Sequence, residues 1–343
     1  MHITEKDFGH GYRLITIENE SGFHLSVTDL GARIVSLGNA RELVLGFDSA
    51  TEYLEKDPYI GAMVGRIAGR IENGHFSLEE RNYQVTTDPL TGHCLHGGKP
   101  GFESKKWAYH IEENKDTTSV IFSTISPDGE HGFPGNLTIE VRYSLTEENI
   151  WELTTKAISD QTTLFNPTNH VYFNLTGDVT KPIDQHQLWL NSSNYAPLRS
   201  DSIPTGEKVT VTDTAFDFQV AKTLDRVFSS NFEQKVLFNG IDHPFFLNSS
   251  NLQELAAKLS SPDGLIELEV FTDASCIVIF TANFGENTPE MHGKNLADHG
   301  GITFETQTAP GAEQFSTFGS ISLLANQPYE TTTRFKITMK EVD

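Results

Sequence analysis

Five stretches of this 343-residue chain carry side chains that could move protons or hold a polar ligand. The most informative is Asn166-Pro167-Thr168-Asn169-His170-Val171-Tyr172-Phe173-Asn174-Leu175. If extended, it sets Thr168, His170, Tyr172 and Asn174 on one face and Val171, Phe173 and Leu175 on the other, a core face backed by a row of hydrogen-bonding groups. Solvated sheet faces favour Lys, Glu and Ser over His, Tyr and Asn, so the residue types in this row carry more information than its polarity. Residues 301–308 repeat the arrangement, with Ile302 and Phe304 on the core side and Thr303, Glu305 and Gln307 opposite. An imidazole and a carboxylate are common partners in general acid–base catalysis. A single Glu on a strand face is ordinarily a solubility residue, and this second stretch is weak by itself.

Thr91-Gly92-His93-Cys94-Leu95-His96-Gly97-Gly98 brings two imidazoles and a thiol close in sequence, which suggests a metal. In an extended or turning segment, however, His93 and His96 face different ways, and neither a His-Glu-x-x-His helix nor a second ligand cluster accompanies them. No metal site is expected. Residues 64–71, Val-Gly-Arg-Ile-Ala-Gly-Arg-Ile, offer Arg66 and Arg70, each either a surface charge or a fork of donors for ligand oxygens. Asp242-His243 lies in a tight connection between apolar segments, where Asp commonly caps a turn. Dinucleotide, P-loop and Gly-x-Ser-x-Gly fingerprints are all missing.

The elements that must position these groups read as strands. Residues 139–145, 151–155, 265–271 and 335–339 alternate apolar and polar side chains with period two. Pro, Asp, Asn and Gly clusters at 126–129, 261–264 and 72–74 supply tight turns between them, so antiparallel hairpins follow. Helical periodicity is confined to 49–54 and 252–259, and the second also fits a strand running into the 261–264 turn. No linker, like-charge block or fixed-period repeat divides the chain. The expectation is an all-β protein, one large antiparallel β-sandwich domain spanning 1–343, because so many strands must each bury a face against a second sheet.

Composition narrows the partners. Hydrophobic residues make up 37% of the chain, with 23 Phe, 9 Tyr and 3 Trp, ample for a core. Lys and Arg number 25 against 47 Asp and Glu, a formal charge of −22, so phosphate backbones and anionic lipid are repelled at long range. Neither nucleic acid nor membrane is expected as a partner. The start Met-His-Ile-Thr-Glu-Lys-Asp lacks a secretory pattern, no run approaches a membrane span, and Cys94 and Cys276 are too few for a disulfide framework. A cytoplasmic protein is the expected reading.

Taken in order, these segments resemble the aldose 1-epimerase (galactose mutarotase) family. The resemblance begins at Leu30-Gly31-Ala32-Arg33 and residues 65–71, and continues through Leu95-His96-Gly97-Gly98, Gly101-Phe102 and Trp107. Asp128-Gly129-Glu130-His131-Gly132-Phe133-Pro134-Gly135, residues 166–175, Ile203-Pro204-Thr205-Gly206, Gly240 to His243 and Glu305-Thr306-Gln307 complete it. It implies a β-sandwich with a sugar cleft and interconversion of α and β hexose anomers. The family's base falls on Glu305, its acid on His170, an assisting imidazole on His96 and substrate-binding positions on Arg70 and Asp242. It further implies no cofactor, an aldohexose such as galactose or glucose as small-molecule partner, and a homodimer as a compatible assembly. Departures occur at Gly69, where many members have Asn, at Pro244 and at Ala309-Pro310-Gly311. A non-catalytic sugar sensor on this fold, a hexose 6-phosphate enzyme, and a glycoside hydrolase using Glu305 and Asp242 are the alternatives.

Overall fold

Alternation becomes sheet across most of the chain. The computed structural model describes residues 1–340. A nine-stranded antiparallel sheet runs in the order Ala108–Glu113, Thr117–Ser126, Leu137–Thr146, Ile150–Ser159, Tyr329–Met339, Ile266–Thr272, Ala257–Ser260, Gln187–Leu190, Lys222–Thr223. All four alternating segments read from the sequence lie in it. Ile266–Thr272 shows the expected strict alternation of buried and half-buried residues, because only one of its faces meets the core.

Against that face pack two smaller antiparallel sheets. One is the meander His2–Gly9, Tyr12–Glu18, His24–Thr28, Arg33–Gly38; the other runs Val209–Thr210, Ser192–Tyr195, Asp242–Leu247, Cys276–Phe280, Glu305–Gln307. One hydrophobic cluster contains Ile15 and Val27 of the meander, Val141, Trp151 and Phe335 of the large sheet, and Phe245 and Ile279 of the five-stranded sheet. Trp151 and Phe335, on neighbouring strands, stack with centroids 4.1 Å apart at its centre. The fold is therefore the β-sandwich that the patterning implies.

Helices are short: Ala50–Glu55, Asp225–Phe228 and Glu233–Phe238 are the α-helices among the described residues. Ser49 caps the first, its Oγ accepting the Glu52 N–H at 3.4 Å, close to the 49–54 expectation. Residues 252–259 form no helix; Ala257–Ser260 is a strand entering the turn at 261–264. None of the helices is long and apolar enough to cross a membrane.

One expectation needs correction. Residues 166–175 are not one half-solvated strand but are buried throughout, on both faces. Thr168–Asn169 pairs with Met63–Val64, whereas Tyr172–Phe173 pairs with Ile302–Thr303. The change of partner falls at His170, whose N–H donates to Ala62 O and whose carbonyl accepts from Gly61 N. Two of the row's polar side chains are consumed structurally: Thr168 donates to Thr306 O, and the Asn174 amide to Lys181 O and Gly300 O.

Candidate active site

The end of the five-stranded sheet forms one wall of a cleft. Antiparallel register sets Asp242 opposite Phe280 and Glu305 opposite Val278. With side chains alternating faces, Asp242 and Pro244, Val278 and Phe280, and Glu305 and Gln307 all point the same way, and all six line the cleft. His170 and Tyr172 enter from the broken 166–175 segment, and Arg70 and His96 from the paired fragments Arg70–Ile71 and Cys94–Leu95 and their flanks. All five residues singled out from the sequence, Glu305, His170, His96, Arg70 and Asp242, thus surround a single space.

At its floor, Glu305 Oε1 lies 3.5 Å from His170 Nε2, with both residues buried. Thr303 Oγ accepts the Phe280 N–H at 3.0 Å, which turns its own hydrogen toward Glu305 Oε1 at 3.2 Å. Gln307 Nε2 approaches the other carboxylate oxygen at 3.5 Å. The carboxylate is held in place by two neutral donors, while burial pushes its pKa above the usual carboxylate range against the opposing pull of His170. Burial likewise raises Asp242, opposed by Arg70 and His170.

His96 occupies a left-handed backbone position, φ 49°, immediately before Gly97. That glycine is required, since a Cβ there would fall 2.4 Å from both Arg66 N and Gly65 O. The His96 Nδ1 accepts the Gly69 N–H at 3.3 Å, so the neutral ring carries its proton on Nε2. Burial, aided by the charges of His170 and Arg70, lowers its pKa well below that of an ordinary imidazole. The rings of His96 and His170 stand perpendicular, 5.5 Å apart.

Patterning did not single out the remaining wall. Tyr59 lies 4.9 Å from the His96 ring, and its phenol is pushed up to about 12, chiefly by burial. It is presented by Arg33, fully buried in the Gly31-Ala32-Arg33 turn, whose guanidinium donates to Ile60 O at 2.5 Å, Pro58 O at 2.7 Å and Glu103 O at 3.1 Å. Tyr59 N–H also donates to Asp57 Oδ1 at 2.8 Å, and Asp57, Phe280 and Phe284 line the cleft. The one sequence signal for this segment is the Asp57-Pro58-Tyr59 triplet after a capped helix.

Arg66 is neither a surface charge nor a ligand fork. It is buried and donates to Ser126 Oγ and O at 2.8 Å, Pro134 O at 2.7 Å, Gly135 O at 2.8 Å, Pro127 O at 3.0 Å and Thr163 Oγ at 3.2 Å. His93, Cys94 and His96 diverge: His93 faces Asp201 at 3.5 Å, Cys94 is buried in an apolar cluster, and His96 joins the cleft. Among the described residues, no three His, Cys, Asp or Glu side chains converge as a metal site would require.

Fold and cleft together define a β-sandwich built around a buried carboxylate–imidazole pair. The chain belongs to the aldose 1-epimerase family, whose sequence profile matches residues 13–336. It is 34% identical over 333 residues to an aldose 1-epimerase of Haemophilus influenzae, covering 94% of this chain and 95% of that relative. A galactose mutarotase of Bos taurus is 35% identical over 303 residues, covering 88% and 85% respectively. The crystal structure of a galactose 1-epimerase from Lactobacillus acidophilus superposes with a TM-score of 0.88 at 30% identity, over 99% of each chain. The protein is an isomerase of this class, acting on the anomers of sugars.

Proposed function

We propose that the substrate is a free aldohexose such as galactose or glucose, opened and reclosed by Glu305 and His170. The observation that carries this reading is the 3.5 Å approach of Glu305 Oε1 to His170 Nε2 on the floor of a cleft whose walls carry convergent polar groups, Arg70, His96, Asp242 and Gln307 among them. Ionised Glu305 takes the proton of the C1 hydroxyl. As the C1=O bond forms, the C1–O5 bond breaks, and its electron pair takes a proton from the His170 imidazolium. Rotation about C1–C2 presents the other face of the aldehyde. The O5 hydroxyl then adds to C1, its proton returns to His170, and protonated Glu305 restores the proton to O1. Every atom of the sugar is recovered, and neither electrons nor a second substrate are consumed.

The other groups hold the sugar. Arg70 and Asp242 offer a donor fork and an acceptor for hydroxyls, while neutral His96 donates from Nε2 without adding a second cation beside His170. Asp57, Asp242 and Glu305 in the cleft face Arg70 as the one lining arginine, a balance that favours a neutral sugar over a phosphorylated one. The working unit is the whole chain, 1–343, as one domain, supported by a core cluster running from Ile15 to Ile337. A cytoplasmic setting agrees with Cys94 and Cys276, both free and buried.

Polarimetry of freshly dissolved α-galactose and α-glucose tests this reading. The protein should accelerate the approach to anomeric equilibrium for at least one of them. An unchanged approach for every free aldose tried would overturn it.

A further inference from the structure

We propose that His243, acting through Gln234, is a positioning residue that ties the Asp242 backbone to the Leu198–Pro204 wall of the same cleft. The proposal rests on Asp242 as a sugar-holding group. Alternation along Asp242–Leu247 sends Asp242 into the cleft and His243 to the opposite face, where its ring is completely buried among Phe216, Phe238 and Tyr195, with centroids 4.8, 5.3 and 6.0 Å away. An imidazole in an aromatic cage is costly unless both nitrogens are bonded, and here both are. The Asp242 N–H donates to His243 Nδ1 at 3.0 Å, and Nε2 lies 2.9 Å from Gln234 Oε1. Because Nδ1 receives a proton donor, the ring proton sits on Nε2 and is donated to Gln234.

The chain of bonds continues to the other wall. Gln234 Oε1 also accepts the Leu198 N–H at 2.7 Å, and Gln234 Nε2 donates to Leu198 O at 3.2 Å. Both lone pairs of the amide oxygen are thereby used. Leu198 bridges to Pro204, and the turn between them is closed by Arg199 N–H to Ile203 O and Ser202 N–H to Arg199 O, both 2.9 Å. Leu198, Ser202 and Pro204 line the cleft with Asp242. Burial pushes the His243 imidazole down to about 3, so it stays neutral where sugars are turned over and serves as a fixed strut, not a proton carrier.

The test is steady-state mutarotation of α-galactose with three variants. Gln234→Met and His243→Phe each remove the link while keeping the volume. Gln234→Met removes three hydrogen bonds and His243→Phe two; if the cleft feels about the net worth of one of them, KM rises about two- to tenfold, with kcat within about twofold of wild type. Gln234→Glu keeps the acceptor for both N–H groups and should return KM toward the wild-type value. Asp242→Asn is measured in parallel. If it leaves KM unchanged, the sugar-holding reading and the strut fall together; if it raises KM while Gln234→Met and His243→Phe do not, the strut alone falls. Lowered thermal stability with unchanged KM, or no recovery in Gln234→Glu, would also overturn it. Should His243→Phe fail to fold, Gln234, on the short half-exposed helix Glu233–Phe238, carries the test alone.

Discussion

The outer face of the nine-stranded sheet sets opposite charges side by side and the floor of the cleft sets a carboxylate beside an imidazole, yet the two regions treat their pairs differently. On the outer face, Arg334 meets Glu152 directly across the strand pair at 3.0 Å, and Lys258 meets Glu267 at 2.8 Å, all four side chains being partly exposed. Water screens such pairs, and each adds little to stability. In the cleft, Glu305 and His170 are buried, Asp242 adds a second carboxylate, and burial shifts both carboxyl groups upward. Burial without full pairing is unfavourable for folding but leaves groups whose protonation changes readily, as general acid–base catalysis needs. On the proposed mechanism, charge is decoration in one region and chemistry in the other.

The strongest challenge to this contrast is to remove the cleft charges. Glu305→Gln and His170→Asn should each lower kcat by about two orders of magnitude or more while the melting temperature changes little, because on the proposed mechanism each removes a proton carrier and not a packing group. Near-wild-type kcat in either variant would end the assignment. The pH profile sharpens it. In the proposed mechanism Glu305 acts ionised, and burial raises its pKa, so kcat/KM should fall on the acid side through a value above the ordinary ~4.3 of Glu. Asp242 contributes to that rise, so in Asp242→Asn the acid limb should move toward lower pH. A limb that stays fixed would show that the two carboxylates do not sense each other.

A second challenge compares two arginines four positions apart. Arg70 faces the cleft from a half-buried strand end, whereas Arg66 satisfies four backbone carbonyls and two hydroxyls inside the protein. In Arg66→Met those acceptors remain buried and unpaired, at roughly 1–3 kcal/mol for each that water cannot reach. The melting temperature should drop by about 5–15 °C, with kcat of the folded fraction within a few-fold of wild type. Calorimetry together with polarimetry checks both halves. A catalytic defect without a thermal one would place Arg66 in the site.

These two arginines also show how far the sequence could be read. The strands of the large sheet were legible because each buries one face, and period-two alternation records this directly. The cleft was legible by residue type but not by element. Although the strand carrying Glu305 does alternate, most of the cleft's groups sit on or beside two-residue fragments such as Tyr172–Phe173, Cys94–Leu95 and Arg70–Ile71, too short to show a period. Hence residues 166–175 read as a half-solvated strand. Arg66 and Arg70 are indistinguishable in a Gly-Arg-Ile-Ala-Gly-Arg-Ile run, since exposure depends on a loop some sixty residues downstream that only the fold brings near. Tyr59 and Asp57 left no signal beyond the Asp57-Pro58-Tyr59 triplet, because their placement comes from Arg33 gripping backbone carbonyls, and carbonyls are the same at every residue.

The smallest expected effect tests the other side of the comparison. Arg334 donates through Nε and Nη to one oxygen of Glu152, at 3.1 and 3.0 Å, a doubly bonded pair on the outer face. Both side chains are roughly one-third exposed, 37% and 32%, so the Coulomb term is screened and offset by the entropy of holding two long side chains together. Arg334→Gln should therefore cost no more than about 1 kcal/mol, and the difference should shrink further in molar salt. Its kcat and KM for α-galactose should match wild type, because neither residue lines the cleft. Chemical denaturation at low and high salt, paired with polarimetry, measures both. A loss of several kcal/mol that persisted in high salt would mean the outer face supports the sandwich through its charges. The division between decorative and chemical charge would then follow some property other than burial.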